Sequence, residues 1–211
     1  MQLFNKVAAK KSLVHTWYIY PILVAISTIL WVWGFGAFHQ PSAHQKLTLF
    51  FATDIKNESF LKDIQTEHYE REKLREVSAY YSLPSAGSTY YTMLNVYLSN
   101  SDILILDENT LDELKVALDK AFVPIDEKTK TNYLFYTNTY YHSDDDKDYG
   151  VLIKKKGEPS YFSTYMTFDE ERDYYLTLSL SSKNLGQLLD ENNKNFDNAL
   201  TFMHYLVEKT L

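Results

Sequence analysis

The chain has 211 residues, no cysteine, and a formal net charge of −7 from 28 acidic and 21 basic side chains. An acidic surface repels nucleic acid, so we expect no nucleic-acid partner. Without cysteine the chain has no disulfide, no thiol nucleophile, no thiolate metal site and no lipid-modified cysteine anchor. Tyrosine is unusually common, with 18 residues. Such rings suit sheet packing, protein interfaces and sugar stacking alike.

An uncharged apolar segment covers residues 17–38, with the sequence WYIYPILVAISTILWVWGFGAF. As a helix, at about 1.5 Å per residue, this segment is long enough to cross a hydrocarbon core of roughly 30 Å. Aromatic residues lie near both of its ends, as in the belts at membrane interfaces. Its length and bulky end favour an uncleaved anchor over a cleaved signal peptide. A helix that is apolar on all sides is rare in the core of a small domain.

Three lysines, Lys6, Lys10 and Lys11, precede the apolar segment, and every acidic residue follows it. Positive charge beside a span tends to stay in the cytoplasm. We therefore expect a single-pass protein of the cell membrane, with its N-terminus cytoplasmic and its C-terminal domain extracellular. The expected parts are a cytoplasmic tail (1–16), a transmembrane helix (17–38), a linker (39–45) and an extracytoplasmic α/β domain (46–211).

The first half of this domain alternates strands with helices. Continuous apolar runs at 47–52 and 102–106 are typical of strands buried on both faces, and 74–80 is a weaker strand. Helices are expected at residues 57–68, 88–98 and 110–122, the last from a capping box of Thr110 and Glu113. The alternation predicts a single three-layer α/β domain with a mostly parallel sheet.

The second half contains more strands than helices. Residues 131–141 and 149–155 flank an acidic turn and predict a hairpin, and the alternation at 174–180 predicts another strand. Apolar side chains recur at spacings of three and four over residues 196–208, which predicts a terminal helix.

The chain lacks the sequence signatures of common enzymes. It has no GxSxG nucleophile elbow, no GxxxxGK[ST] phosphate loop and no HExxH zinc motif. An extracellular hydrolase would need a catalytic carboxylate pair, which the sequence does not place. We therefore expect no enzymatic activity and no cofactor.

The acidic turn partly matches the pattern of a calcium loop. Asp144, Asp146 and Asp148 alternate as at the start of an EF-hand, but Gly150 comes one place late and Lys155 stands where a bidentate glutamate belongs. These departures favour a solvated hairpin turn. A calcium site stays the weaker alternative.

Polar residues follow the expected strands at what would be one edge of the sheet. Ligands of open parallel sheets bind beyond the carboxyl ends of the strands, and free N–H groups at a helix start can meet a polar ligand. The candidate ligand-binding residues are Thr53, Asp54, Ser85, Gly87, Ser88, Asp107 and Glu108. Helix capping explains each of them equally well when it is taken alone, and their common edge favours a site.

Three segments together resemble the N-terminal lobe of bacterial extracellular solute-binding proteins of the maltose-binding type, an ABC-transporter family. They are LTLFFATDIKNESFLKDI, SAGSTYYTMLNVYLSNSDILIL and DENTLDELKVALDKAFVPIDE, within about residues 46–126. The shared features are a first strand before a helix, a helix that leads into a buried strand, and a hydrophobic-Pro-hydrophobic-Asp phrase. The family has two lobes that clamp a ligand, and this chain has room for one.

The resemblance implies one lobe of a periplasmic-binding-protein fold on a membrane anchor. The expected function is a non-enzymatic interaction domain, an accessory subunit of a membrane complex whose partner is a membrane protein such as a transporter permease. The alternative is a receptor for a small molecule, a sugar or a peptide, that uses tyrosine rings and the strand-end polar groups.

Overall fold

The computed structural model describes residues 17–39, 41–57, 59–60, 62–63, 74–133, 139–185 and 198–209. The chain divides into two compact units, Met1–Gln40 and Pro41–Leu211. Each unit is described by itself below.

The first unit contains helix α1 (Ile19–His39), which confirms a helix over the predicted apolar segment. Its 21 residues extend about 31 Å at 1.5 Å per residue. Pro21 lies in the first turn, where its missing N–H costs no helical hydrogen bond. In the part of the chain that the structure describes, this is the one helix long and apolar enough to cross a membrane, with a mean hydropathy of 1.8 over Ile19–Phe38.

The second unit is an α/β domain with a six-stranded and a two-stranded sheet. Its strands are β1 (Lys46–Phe51), β2 (Asp54–Ile55), β3 (Glu76–Tyr81), β4 (Ile103–Asp107), β5 (Tyr140–His142), β6 (Asp148–Lys154), β7 (Met166–Thr167) and β8 (Tyr174–Leu178). Its helices are α2 (Ser88–Leu98), α3 (Glu108–Glu113), α4 (Leu118–Ala121), α5 (Glu127–Asn132) and α6 (Asn198–Glu208). Short 3-10 turns lie at Ala43–Gln45, Pro84–Ala86, Lys115–Ala117 and Tyr161–Thr164.

The large sheet has the order β3-β1-β4-β8-β6-β5. The first three strands are parallel, whereas β8, β6 and β5 pair antiparallel with their neighbours. The sheet is therefore mixed, and the prediction of a mostly parallel sheet is wrong. A parallel neighbour needs a crossover, usually a helix, that carries the chain back to the other edge. Residues 155–173 contain no α-helix, and they return the chain at the same edge, where Lys154 pairs with Tyr174.

The sheet is buried on both faces, as the continuous apolar runs predicted. In β1, Leu49 and Phe51 join one hydrophobic cluster and Phe50 joins the other. The first cluster contains the apolar side of α6, including Phe202, and the second contains Tyr90 of α2. The coarse architecture, α/β with helices on both faces of the sheet, is therefore confirmed.

Several local predictions are confirmed. Helix α2 has the predicted bounds, and β1, β3, β4, β6 and β8 lie at the predicted strands within two residues. Strands β5 and β6 form the predicted hairpin, and helix α6 covers the described part of the predicted terminal helix.

Two local predictions are wrong. The cap of α3 is Asp107 and not Thr110, and the helix ends at Glu113, before a 3-10 turn, where a helix to residue 122 was expected. Residues 131–132 belong to α5 and not to a strand. Asp126 begins α5 by accepting a hydrogen bond from the Thr129 N–H, which explains a helix there.

Two further predictions fall partly outside the described residues. Residues 134–138 of the predicted strand lie there, as does most of the predicted helix at 57–68.

Candidate functional site

A cavity of about 410 Å³ lies at the edge of the sheet where β1, β3 and β4 end. Three segments form its walls: the turn after β3 with the start of α2, the helix α3, and the segment that leads from β7 into β8. This volume is within the range of small-molecule sites. We call it the tyrosine cavity, after its lining residues Tyr90, Tyr91 and Tyr174.

Behind the cavity, a buried carboxylate joins two of these walls. Asp107, the last residue of β4, is fully buried and accepts a hydrogen bond from the Thr110 N–H at 2.7 Å. Its other oxygen accepts from Nη1 of Arg172 at 2.5 Å. Because β8 runs antiparallel to β4, Asp107 lies opposite Tyr174, which brings Arg172 to the end of β4. One carboxylate thus caps α3 and pairs with a lining cation.

Several contacts hold the lining segment that carries Arg172. The Nε of Arg172 lies 3.1 Å from a carboxylate oxygen of Asp169, and the hydrogen bond to Asp107 raises the pKa of Arg172. The buried Lys154 donates to the carbonyl groups of Asp169 and Arg172, at 3.0 and 3.2 Å. The Asp169 N–H donates to the Tyr174 hydroxyl at 3.0 Å. These bonds fix the guanidinium against one wall.

The opposite wall contains two tyrosines of α2 in different environments. Tyr90 is buried, its hydroxyl is 2.8 Å from the Thr110 hydroxyl, and burial raises its pKa. The ring of Tyr91 is 5.4 Å away in an edge-to-face arrangement, and the residue is 45% exposed. The Tyr91 hydroxyl donates to Glu113 at 2.8 Å, and this bond raises the pKa of Tyr91. Both phenols therefore stay protonated near neutral pH.

Three of the predicted ligand-binding residues lie in or directly behind the cavity. Ser85 lines it. Thr53 is fully buried and its hydroxyl donates to the carbonyl of the lining residue Thr167 at 2.5 Å. Asp107 holds Arg172, as described above.

The other four predicted residues lie beside the cavity. Asp54 is exposed in β2, which pairs with β7. Gly87 has φ +58°, a conformation that favours glycine, and Ser88 begins α2 after it. Glu108 is exposed, and its N–H donates to the Asp173 carbonyl at 3.0 Å. A direct role of any of the seven residues in ligand binding stays a prediction.

Ser85 is the one lining residue that sequence reasoning included; the lining residues that it missed include Tyr91, Glu113, Phe168, Asp169 and Arg172. The pair of tyrosines directly after the predicted turn was an available signal for the α2 wall. The wall that carries Arg172 depends on the antiparallel direction of β8, which the prediction of a mostly parallel sheet did not specify.

The acidic turn is a hairpin turn over residues 143–147 between β5 and β6. Asp144 pairs with Lys115 at 2.8 Å, and Asp148 is buried in β6 and pairs with Lys130 at 2.6 Å. Asp146 has φ +60° in the turn. Among the described residues no group of three or more His, Cys, Asp or Glu side chains could hold a metal ion. The predicted hairpin is therefore confirmed, and a calcium site at its turn stays the weaker prediction.

A second cavity, of about 220 Å³, lies at the opposite edge around Asp102. The buried carboxylate accepts from the Thr48 N–H at 2.7 Å, the Ser182 hydroxyl at 2.5 Å and the Asn184 amide at 2.9 Å. Burial raises the pKa of Asp102 against the effect of these bonds. The contacts tie β1 and β4 to the segment after β8, so the group is structural.

Comparisons with protein-family models, with curated proteins and with solved structures give no match. The resemblance to solute-binding proteins therefore stays a prediction, and the function is argued from the site.

We predict that Asp107→Ala lowers the free energy of unfolding by about 3 kcal/mol, because it removes a helix cap and leaves Arg172 without its buried partner. Asp126→Ala is the matched control. Asp126 caps α5 through the same kind of bond at 2.7 Å but is exposed, so its loss costs about 1 kcal/mol. Urea unfolding of the full chain in detergent measures both. Equal losses would show that the ion pair contributes nothing.

We also predict a pH dependence from Asp102. Since its folded pKa is raised, the unfolded chain releases this proton first as the pH rises above about 4. The wild-type chain should therefore lose stability relative to Asp102→Asn from about pH 4 up to the folded pKa, with no further relative change above it. Unfolding free energies of both chains across this range measure the difference. A difference that is constant with pH would contradict the assignment.

Proposed function

We propose that the protein is a membrane-anchored, non-enzymatic binding protein whose outer domain takes a small polar molecule into the tyrosine cavity. The observation that supports this most directly is the cavity itself, which lies at the edge where the sequence placed a ligand site. It combines aromatic rings with a few convergent polar groups, which is the usual composition of small-molecule sites.

The polar groups of the cavity are ordered before any ligand arrives. Arg172 is held between Asp107 and Asp169, and Glu113 is held by Tyr91. A ligand that binds such groups pays little entropy for ordering side chains, and more of the contact energy appears as affinity. This order favours binding as the task of the site.

The same contacts support a role without catalysis. General acid–base chemistry needs a group whose pKa lies near the working pH. The pKa values of Tyr90, Tyr91 and Arg172 are all raised, away from neutrality. The carboxylates of Asp169 and Glu113 are engaged by Arg172 and Tyr91.

The proposal places the domain outside the cell on a single membrane span. The length and hydropathy of α1 support the span. The three lysines before α1 support a cytoplasmic N-terminus. Restriction to the membrane surface would bring bound molecules to a neighbouring membrane protein.

A second candidate function is favoured by an exposed apolar surface beside the cavity. Tyr80, Tyr81 and Leu83, at and after the end of β3, are each at least 40% exposed. Aromatic side chains of this kind often supply the binding energy of protein interfaces. In this alternative the domain is an accessory subunit that docks to a membrane protein such as a transporter permease.

Protease treatment of intact cells tests the topology. A C-terminal tag on the full chain should be lost when proteinase K is added to intact cells, because the proposed location exposes the whole outer domain. A cytoplasmic protein of the same cells is the control and should stay intact. Protection of the tag until the cells are lysed would overturn the proposed location.

Thermal shift of the full chain in detergent against a library of small polar solutes tests the binding proposal. A ligand at a hundredfold excess over Kd adds about 2.7 kcal/mol of stability, which is measurable as a higher Tm. Tyr91→Ala should abolish this shift. Tyr161→Ala is the matched control. Tyr161 is similarly exposed, at 40%, but it lies in the 3-10 turn Tyr161–Thr164 and does not line the cavity, so this variant should keep the shift.

The absence of a shift with every solute would reject the small-molecule proposal. In that case, a photo-crosslinker at position 81 that traps a specific membrane protein would support the accessory-subunit alternative. A Tyr161→Ala chain that loses the shift as fully as Tyr91→Ala would show that the binding site lies elsewhere.

A further inference from the structure

We infer that the ligand of the tyrosine cavity is an organic cation, a molecule that carries an ammonium or guanidinium group. This inference rests on the proposed small-molecule function. Among the described residues that line the cavity, Arg172 is the one cation, and Glu113 and Asp169 are carboxylates. Behind the lining, the buried Asp107 adds a negative charge beside Arg172, and the buried Lys154, which donates to the Asp169 and Arg172 carbonyl groups, adds a positive one. The site therefore has an excess of negative charge.

Arg172 is a poor partner for an anionic ligand, because it already pairs with two carboxylates. Its Nη1 donates to Asp107 and its Nε faces Asp169, so two carboxylates surround one guanidinium. An anion bound here would be desolvated next to the carboxylates of Glu113 and Asp169. Its one favourable charge contact would be with a guanidinium that already pairs with other carboxylates. Such like-charge contacts discriminate against a ligand more strongly than neutral contacts do.

Tyr91 and Glu113 provide the contacts that a cation needs. Tyr91 lines the cavity and is 45% exposed, so a ligand can contact this side chain. Its hydroxyl donates to Glu113 at 2.8 Å, which makes the ring richer in electrons and its face more attractive to positive charge. The same carboxylate lies beside the ring and can neutralise the ligand. An aromatic face next to a carboxylate is a favourable environment for an organic ammonium group.

The volume of the tyrosine cavity favours a ligand larger than a bare inorganic ion. A space of about 410 Å³ is far larger than one ammonium ion, and the aromatic pair of Phe168 and Tyr174, 4.7 Å apart, gives it an apolar side. A cation with an organic body would cover that side while its charge meets Glu113. A neutral sugar could use the same rings, but it would leave the excess negative charge without compensation.

Two pairs of ligands with nearly the same shape test the inference. Choline is compared with 3,3-dimethyl-1-butanol, in which carbon replaces the charged nitrogen, and Nα-acetylarginine amide is compared with the uncharged Nα-acetylcitrulline amide. Calorimetric titration of the full chain in detergent should show about tenfold tighter binding of the cation in at least one pair. Raising the salt concentration should lower the affinity for the cation modestly, without removing the preference, and leave the affinity for the neutral analogue unchanged.

The variant Glu113→Gln separates charge from shape, because the amide oxygen can still accept the Tyr91 hydrogen bond. It should lower the affinity for the cation about fivefold and leave the affinity for the neutral analogue unchanged. Glu158→Gln is the control, since Glu158 is an exposed carboxylate that pairs with Lys155 on another turn. It should change neither affinity by more than about twofold.

Three results would overturn the inference. The first is equal or tighter binding of the neutral member in both pairs, which would retain the proposed function but identify a neutral ligand. The second is an equal effect of Glu113→Gln and Glu158→Gln on the cation. The third is no binding of any cation while the solute library yields a Tyr91-dependent ligand that is neutral or anionic. No shift with the whole library would instead reject the proposed function itself.

Discussion

The arrangement of the candidate site depends on one buried carboxylate, Asp107. An unpaired charge in the interior costs several kcal/mol, so this position requires both of its partners. The Thr110 N–H satisfies one oxygen and starts α3. Arg172 satisfies the other oxygen, which holds the segment before β8 against the end of β4. Asp107 thus joins two of the three walls of the tyrosine cavity and stabilises the fold at this point.

The direction of β8 gives this edge of the sheet its chemistry. In an open parallel sheet, the crevice is built from the segments that follow the carboxyl ends of the strands. Here the amino end of the antiparallel β8 meets the carboxyl end of β4, with Asp107 opposite Tyr174. The segment that enters β8 therefore contributes Asp169, Arg172 and Tyr174 to the cavity. A mixed sheet brings a cation and an aromatic pair to an edge that β1, β3 and β4 alone would leave with capping groups.

The features that could be predicted from the sequence are those determined by residues close together along the chain. The continuous apolar runs of β1 and β4, the spacing of α2 and the polar residues at the strand ends were sufficient to locate the edge and to include Ser85 and Asp107. The pairing of Asp107 with Arg172 joins residues 65 positions apart and depends on strand direction, which no local pattern encodes. The cap of α3 was assigned wrongly for a related reason. Asp107 and Thr110 can both cap a helix, and the contact with Tyr90 engages the Thr110 hydroxyl.

The net charge of the chain and the charge of the cavity act over different distances. At physiological ionic strength, charges more than about 8 Å apart in water are largely screened. The formal net charge of −7 therefore raises the local concentration of cations only weakly, and any selection must come from groups that touch the ligand. Glu113 beside the Tyr91 ring meets this condition, because its carboxylate and the ring are joined by a 2.8 Å hydrogen bond. Selectivity for an organic cation would then persist in a medium whose salt removes long-range attraction.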